Sequence, residues 1–305
     1  MSGKAERALL ERLLPGRESP RGGRAIFILG APRTGSTIFY QAVCSWFDLP
    51  YISNFTNDCF PQIPIVGLSI QRAMPVDVGF DSRYGKTEGA FQPSEGSAVM
   101  THWFGGGHPS ELVSARVLDG AELHFRSTIA AAEALFEAPL VMKNAWNCFR
   151  VRSIAETLPS ARFLWIRRDI AEAATSDLKA RYTTKGSANT WNSATPLNVE
   201  ELRNLDPAAQ VVENQVAFNE SIGNALSRLG QDRWKAVWYE DFCADPDGVL
   251  SSLVTIIDRE PRKSASEIRI ATRGKSEPRE EIDSDVDRYV SGNAARLSGC
   301  HYSSA

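Results

Sequence analysis

No run of apolar residues in this chain approaches the ~20 needed to span a bilayer. The opening residues 1–23 carry charges and prolines where a secretory signal would carry its apolar centre. These absences predict a cytoplasmic protein with no transmembrane segment. Histidine is scarce. His102, His108, His124 and His301 are the four present, and none falls in an H-E-x-x-H or comparable ligand pattern, so no metal site is expected. Cys44, Cys59, Cys148, Cys243 and Cys300 lack C-x-x-C spacing, and an odd number completes no disulfide framework, so they read as reduced thiols. Basic charge is not in excess either. A net charge of -3 argues against a general nucleic-acid binder, whose footprint is a strongly basic face, so any anion site must be local.

What is present is an alternation of buried strands and helices. AIFIL at 25–29 is a compact apolar run stopped by Gly30, the pattern of a parallel strand covered on both faces, and 37–47 has helical spacing. Further strands are expected at 139–143, 162–166 and 235–239, with helices at about 170–182, 209–229 and 246–258. The fold class predicted is α/β, with a central parallel sheet, helices on both faces and ligands at the carboxyl ends of the strands. At 305 residues the chain fits one large domain. Residues 1–23 read as a peripheral helix and linker, and 24–305 as a single domain. Within it, the Gly/Pro/aromatic-rich insert at about 50–120 reads equally as the substrate-facing part of a site or as a decorated loop region, and 183–206 as a candidate lid.

The most informative segment is ILGAPRTGST at 28–37. It fits the phosphate-loop pattern G-x-x-x-x-G-K-[ST] at Gly30, Gly35 and Thr37, but Ser36 stands where the lysine belongs. That lysine reaches the outer phosphates of a nucleoside triphosphate. A loop without it suits a different phosphate-like group, with Arg33 supplying the charge. Backbone N–H groups from Thr34 to Ile38 would point at one anion from the positive end of the following helix. About 135 residues later Arg168 follows a strand, and Ser176 lies eight residues on, within a helix, so a cation and a hydroxyl are placed to share a phosphate.

In that order and spacing, PRTGST at 32–37 and RDIAEAATS at 168–176 resemble the sulfotransferase family. The resemblance extends over roughly residues 24–260. It includes WYED at 238–241, similar to the family's Y-E-D segment, and VMKNAWNCFRVRSIAETLPSARFLWIRRD at 141–169. Ile170 replaces the family's usual proline. The resemblance implies a P-loop NTPase-like sulfotransferase fold and 3′-phosphoadenosine 5′-phosphosulfate as co-substrate. It puts Arg33, Thr34, Gly35, Ser36, Thr37 and Ile38 around the 5′-phosphosulfate, Arg168 and Ser176 at the 3′-phosphate, and Tyr239 near the adenosine. It also makes Arg33 and Lys143 the stabilisers of charge on the transferring group. A sulfuryl group carries less charge than a terminal phosphoryl, so no metal is expected. Arg273, Gly274 and Lys275 loosely resemble a late basic-glycine element of the family.

The general base departs from the family's patterns. The histidine that many members carry two residues after the lysine is Ala145 here, and the neighbourhood where other members carry a glutamate reads YISNFTND, with Asn54 and Asp58. Glu95, a lone carboxylate in a Gly/Pro/aromatic stretch, is the first choice, with Glu88 and His102 as alternatives. His102, Trp103 and Trp191 suit an acceptor-stacking face, although burial in the core is the commoner use of tryptophan. The expected partners are the nucleotide donor and a hydroxyl acceptor on a carbohydrate or glycolipid, with no nucleic acid. A small natural product as acceptor, a P-loop kinase and a non-catalytic nucleotide-binding module are the alternatives.

Overall fold

A computed structural model describes residues 2–15, 23–80, 82–83, 86–106, 115–191, 194–263 and 280–303. Its centre is a parallel sheet of β1 (Ala25–Leu29), β4 (Leu140–Lys143), β5 (Arg162–Arg167) and β6 (Trp234–Trp238) in the order β4-β1-β5-β6. A separate two-stranded hairpin joins β2 (Ser82–Arg83) to β3 (Lys86–Thr87). Every residue of β1 and β4 is buried, which is why these strands read as continuous apolar runs and not as alternating ones.

The helices are α1 (Ser2–Leu13), α2 (Ser36–Phe47), α3 (Asn54–Cys59), α4 (Pro64–Ala73), α5 (Ser97–Phe104), α6 (Glu122–Phe136), α7 (Val151–Thr157), α8 (Ile170–Lys185), α9 (Val199–Leu202), α10 (Pro207–Leu226) and α11 (Tyr239–Ala244). Short helices Pro246–Ser251 and Val254–Ile257 follow, and a longer one, Glu280–Gly292, lies near the end.

Successive strand residues point to opposite faces, so the sheet divides the core in two. Phe27, Leu29, Met142, Phe163 and Trp165 pack with Phe125 and Ile129 of α6, Ile154 of α7 and Phe218 of α10. Ile26, Ile28, Val141, Leu164 and Ile166 pack with Phe39, Val43 and Phe47 of α2 and Phe242 of α11. Phe27 and Phe163 face each other across the β1–β5 pair with ring centroids 5.7 Å apart. A third cluster joins α8 and α10 to the helix at 280–292 through Leu178, Val212 and Val286.

Helices therefore cover both faces, as the sequence predicts, and the element boundaries shift by a few residues. The last strand ends at Trp238, so Tyr239 opens α11 instead of closing the strand. The helix expected at 246–258 is two short pieces. α8 runs three residues beyond Tyr182 and stops at Gly186, whose φ of 69° suits a left-handed cap, so the lid segment starts as helix. α1 is peripheral but docked. Leu10, Leu13 and Leu14 join the first core cluster, and Glu6 accepts a hydrogen bond from His124 of α6 at 2.9 Å. The start of the 50–120 insert extends the sheet. Val141 N donates to Pro50 O at 2.8 Å, and Tyr51 pairs with Val141 in parallel beside β4.

Candidate functional site

The site forms where β1, β4 and β5 end. Gly30 closes β1 where a Cβ would stand 2.7 Å from Thr34 Oγ1 and 2.8 Å from Ile166 Cγ2, so glycine alone lets the loop cross its neighbouring strand. The loop reverses through two left-handed residues, Arg33 at φ 68° and Gly35 at φ 78°. A non-glycine residue in that region is uncommon. Arg33 is held there from several sides. Thr34 Oγ1 donates to Ala31 O at 2.8 Å, Gln215 Nε2 of α10 donates to Pro32 O at 2.8 Å, and Arg168 Nη1 donates to Arg33 O at 3.0 Å. Cys148 Sγ donates to Gly30 O at 3.4 Å, its thiol kept protonated by burial that pushes its pKa up to about 12.

No side chain caps α2. The first-turn N–H groups, from Ser36, Thr37 and Ile38, have no intrahelical acceptor by construction, and the helix dipole adds positive potential there. Such a terminus on a twelve-residue helix suits an anionic group.

Arg33 and Arg168 close one side of the loop. Arg33 Nε donates to Ser176 Oγ at 3.2 Å, so the loop and α8 meet through Arg33, whereas the sequence pattern pairs Ser176 with Arg168. The Arg168 guanidinium lies 5.0 Å from the Tyr239 ring centroid, and its Nη2 is 3.4 Å from Glu172. Burial, with the nearby Cys243 adding to it, pushes the Tyr239 phenol up to about 12, so the hydroxyl stays neutral. The same ring lies so close to Gly35 that a Cβ there would stand 2.3 Å from two ring carbons. Gly35→Ala is therefore expected to lower stability by about 1–2 kcal/mol from the left-handed backbone alone, and to push the tyrosine off the loop. An unchanged Tm on thermal unfolding would show that the ring does not pack on Gly35.

Neighbouring acids fix this wall. Asp169 caps α8 by accepting from Ala171 N and Glu172 N, and Asp169 N donates to Glu240 Oε1 at 3.0 Å. The end of the chain also reaches this point. His301 Nδ1 lies 3.1 Å from Asp169 Oδ2, and Tyr302 OH donates to Asp241 Oδ1 at 2.6 Å. Arg167 lies between the Trp165 and Trp238 rings, 4.9 and 4.2 Å from their centroids, and donates to Gly299 O.

The other side of the loop carries Lys143 and Glu95. Lys143, the last residue of β4, is buried, and its Nζ donates to Glu95 Oε1 and to Thr37 Oγ1, the latter at 3.4 Å. Glu95 is about a third exposed, so its carboxylate meets both the lysine and solvent. Three residues far apart in sequence thus converge at the start of α2, one each from α2, the insert and β4.

Other expected residues lie elsewhere. Glu88 is exposed. His102 packs edge-on against His124, with centroids 4.9 Å apart, on the side of α5 that faces α6 and α1. Its pKa is lowered, chiefly by burial. Trp103 is fully buried, stacks with Phe125 and donates to His124 Nδ1 at 2.9 Å, which corrects its reading as an acceptor-stacking face: it is a core residue. Trp191 is half-buried over the Arg181 guanidinium, 4.5 Å from its ring centroid. Arg273, Gly274 and Lys275 fall outside the described residues. Among the described residues no group of three or more His, Cys, Asp or Glu is placed to hold a metal ion, and no helix is long and apolar enough to cross a membrane.

Sequence reasoning missed Gln215, Asn144 and the C-terminal residues. Each is distant in sequence from the motif it supports, and none sits in a pattern of its own. Gln215 is one of three buried polar residues of α10, with Gln210 and Asn214, and nothing in the sequence sets it apart from them.

A family model described as the sulfotransferase family matches residues 25–261. No curated protein sequence matches the chain. Among solved structures, it is similar to sulfotransferase STF9 from Mycobacterium avium, with 14% identity over 96% of this chain and 81% of that one and a TM-score of 0.59. It is also similar to sulfotransferase STF1 from Mycobacterium tuberculosis H37Rv, with 15% identity, the same coverage of both chains and a TM-score of 0.54. At such identities the likeness concerns the fold.

Proposed function

Since the chain belongs to the sulfotransferase family, we propose that it transfers the sulfuryl group of 3′-phosphoadenosine 5′-phosphosulfate to an acceptor hydroxyl on a carbohydrate or glycolipid. The observation that carries this reading is the two-sided loop. Arg33, Arg168 and Ser176 meet on one side of it, and Lys143 and Glu95 meet on the other. A single nucleotide with anionic groups at both its 3′ and 5′ ends suits that separation of cations. The uncapped start of α2, with the Ser36 and Thr37 hydroxyls, suits the 5′ end, and Tyr239 lies between the two ends as an aromatic surface.

When bound, the donor supplies the sulfuryl group and a good leaving group. The protein's part is proton transfer and charge stabilisation. Glu95 takes the proton of the acceptor hydroxyl as its oxygen attacks sulfur in line, and the bond from sulfur to the 5′-phosphate oxygen breaks. Lys143, held at the start of α2 by Glu95 and Thr37, stabilises the charge that collects on that oxygen from a position fixed before the reaction, and Arg33 joins it by leaving Ser176. With Ala145 in place of a histidine, Glu95 is the proton acceptor beside Lys143. About a third of the Glu95 side chain is exposed, which leaves its carboxylate open to an acceptor hydroxyl.

Thermal shift tests the donor assignment. Adenosine 3′,5′-bisphosphate at about 100 times its Kd stabilises the native state by ~2.7 kcal/mol, and a Tm rise of roughly 4 °C is expected for a chain of this size. ATP with Mg²⁺ should produce little shift. The reverse pattern would favour a P-loop kinase and overturn this reading, whereas a bisphosphate shift without turnover on any hydroxyl acceptor would favour a non-catalytic nucleotide-binding module.

A further inference from the structure

Glu95 is gripped at two points by two consecutive residues of the same strand end. Lys143 holds its carboxylate, and Asn144 holds its main-chain carbonyl. Asn144 is 1% exposed, and three of its four hydrogen-bonding positions are used. Its Nδ2 donates to Glu95 O at 3.1 Å and to Ser97 Oγ at 3.3 Å, and its Oδ1 accepts from Trp146 N at 3.0 Å. The amide orientation follows from these partners. Flipped, it would set Oδ1 against the Glu95 carbonyl and an N–H against the Trp146 N–H.

The grip matters because the chain turns sharply just after Glu95. Gly96 has φ 63° and caps α5, and a Cβ on it would stand 3.3 Å from Ile52. The peptide that follows Glu95 is held on both sides: its N–H, on Gly96, donates to Ser94 Oγ at 3.3 Å, and its carbonyl accepts from Asn144. The Glu95 carbonyl has its described partner in Asn144, and rotation of that peptide would swing the carboxylate away from Lys143 and Thr37.

We infer that Asn144 is a positioning residue: its donation to the Glu95 carbonyl sets the carboxylate at its distance from the phosphate loop. This rests on the proposed role of Glu95 as base. A misplacement of ~1 Å can cost as much as about a hundredfold in rate, so the effect should fall on kcat and spare nucleotide affinity.

Asn144→Asp separates this role from a merely structural one. Aspartate caps as well as asparagine and still accepts from Trp146 N, but it has no N–H for the Glu95 carbonyl. The expected result is a kcat lowered about 10- to 100-fold and a lowered Tm, because a buried carboxylate oxygen then faces the Glu95 carbonyl, with the Kd for adenosine 3′,5′-bisphosphate still within about twofold. Asn144→Ala should lower kcat similarly and lower Tm as well. Added to Glu95→Gln, Asn144→Asp should cost no more than about twofold further, because both changes then act through one carboxylate.

Parent-like kcat in Asn144→Asp, with Glu95→Gln inactive, would overturn the positioning role and leave Glu95 as base. An active Glu95→Gln would overturn both. If Asn144→Asp fails to fold, Ser97→Ala reads the same grip: removing the second acceptor loosens the amide, and a fall in kcat of about two- to fivefold is expected. No change in that variant would count against the role.

Discussion

Glu95→Gln is expected to lower kcat by about 10²–10⁴-fold, the range that a positioned general base supplies, while the Kd for adenosine 3′,5′-bisphosphate stays within about twofold. The substitution preserves size, and its amide oxygen still accepts from Lys143 Nζ. It removes the charge and the capacity to take a proton. Nucleotide affinity should survive because the cations read as holding the nucleotide come from other elements: Arg33 from the loop, and Arg168 from the end of β5, with Ser176 beside them on α8. Tm should fall somewhat, because Lys143 is buried and loses the charge that balances its own, while the exposed third of the Glu95 carboxylate limits the loss.

Steady-state rates at saturating donor check the prediction, with bisphosphate titration as the control for folding. Unchanged turnover would move the base elsewhere. Glu88 and His102 would then be tested in turn, although His102 must first leave its packing against His124 to take that role.

The loop that ends β1 was legible in the sequence because its parts are local. A phosphate loop is one contiguous segment whose glycines are required by backbone geometry, and Gly30 and Gly35 prove to be positions where a Cβ would collide with Ile166, Thr34 or Tyr239. The strands were legible for the same reason, since burial on both faces leaves unbroken apolar runs. Helix ends were less so. α8 runs past Tyr182 because Thr183, Thr184 and Lys185 are compatible with helix, and the stop comes from the left-handed Gly186.

The acceptor side was poorly legible because it is assembled from segments far apart. Glu95 and Lys143 are 48 residues apart, and nothing in either segment announces the contact. Trp103 shows the opposite failure: a tryptophan in an aromatic, glycine-rich stretch reads equally as core or as a binding face, and its contact with Phe125 and full burial assign it to the core. The C-terminal residues were invisible as site neighbours, since His301 and Tyr302 reach Asp169 and Asp241 only through the path of the last helix.

Arg168→Ala should weaken adenosine 3′,5′-bisphosphate binding by about 30- to 1,000-fold, equivalent to losing roughly 2–4 kcal/mol for a charge-assisted contact whose removal leaves an anion without its partner. The guanidinium is only one-fifth exposed and is pinned by the Arg33 carbonyl and the Tyr239 ring, so little ordering cost remains when an anion binds. Lysine should restore only a small part. It keeps the charge but cannot donate to the carbonyl and to an anion from a fixed planar fork. Loss of affinity alone is ambiguous, because Arg168 also supports the loop through the Arg33 carbonyl, and a relaxed loop would weaken the 5′ end too. Adenosine 5′-monophosphate, which lacks the 3′-phosphate, separates the two. If Arg168 acts on the 3′-phosphate, the variant should bind the monophosphate within about threefold of the parent while the bisphosphate loses its advantage over it. Equal losses for both ligands would mean that Arg168 serves the loop and not the 3′ end. Unaltered bisphosphate affinity would remove it from the nucleotide site altogether, and with it the two-sided arrangement on which the donor assignment rests.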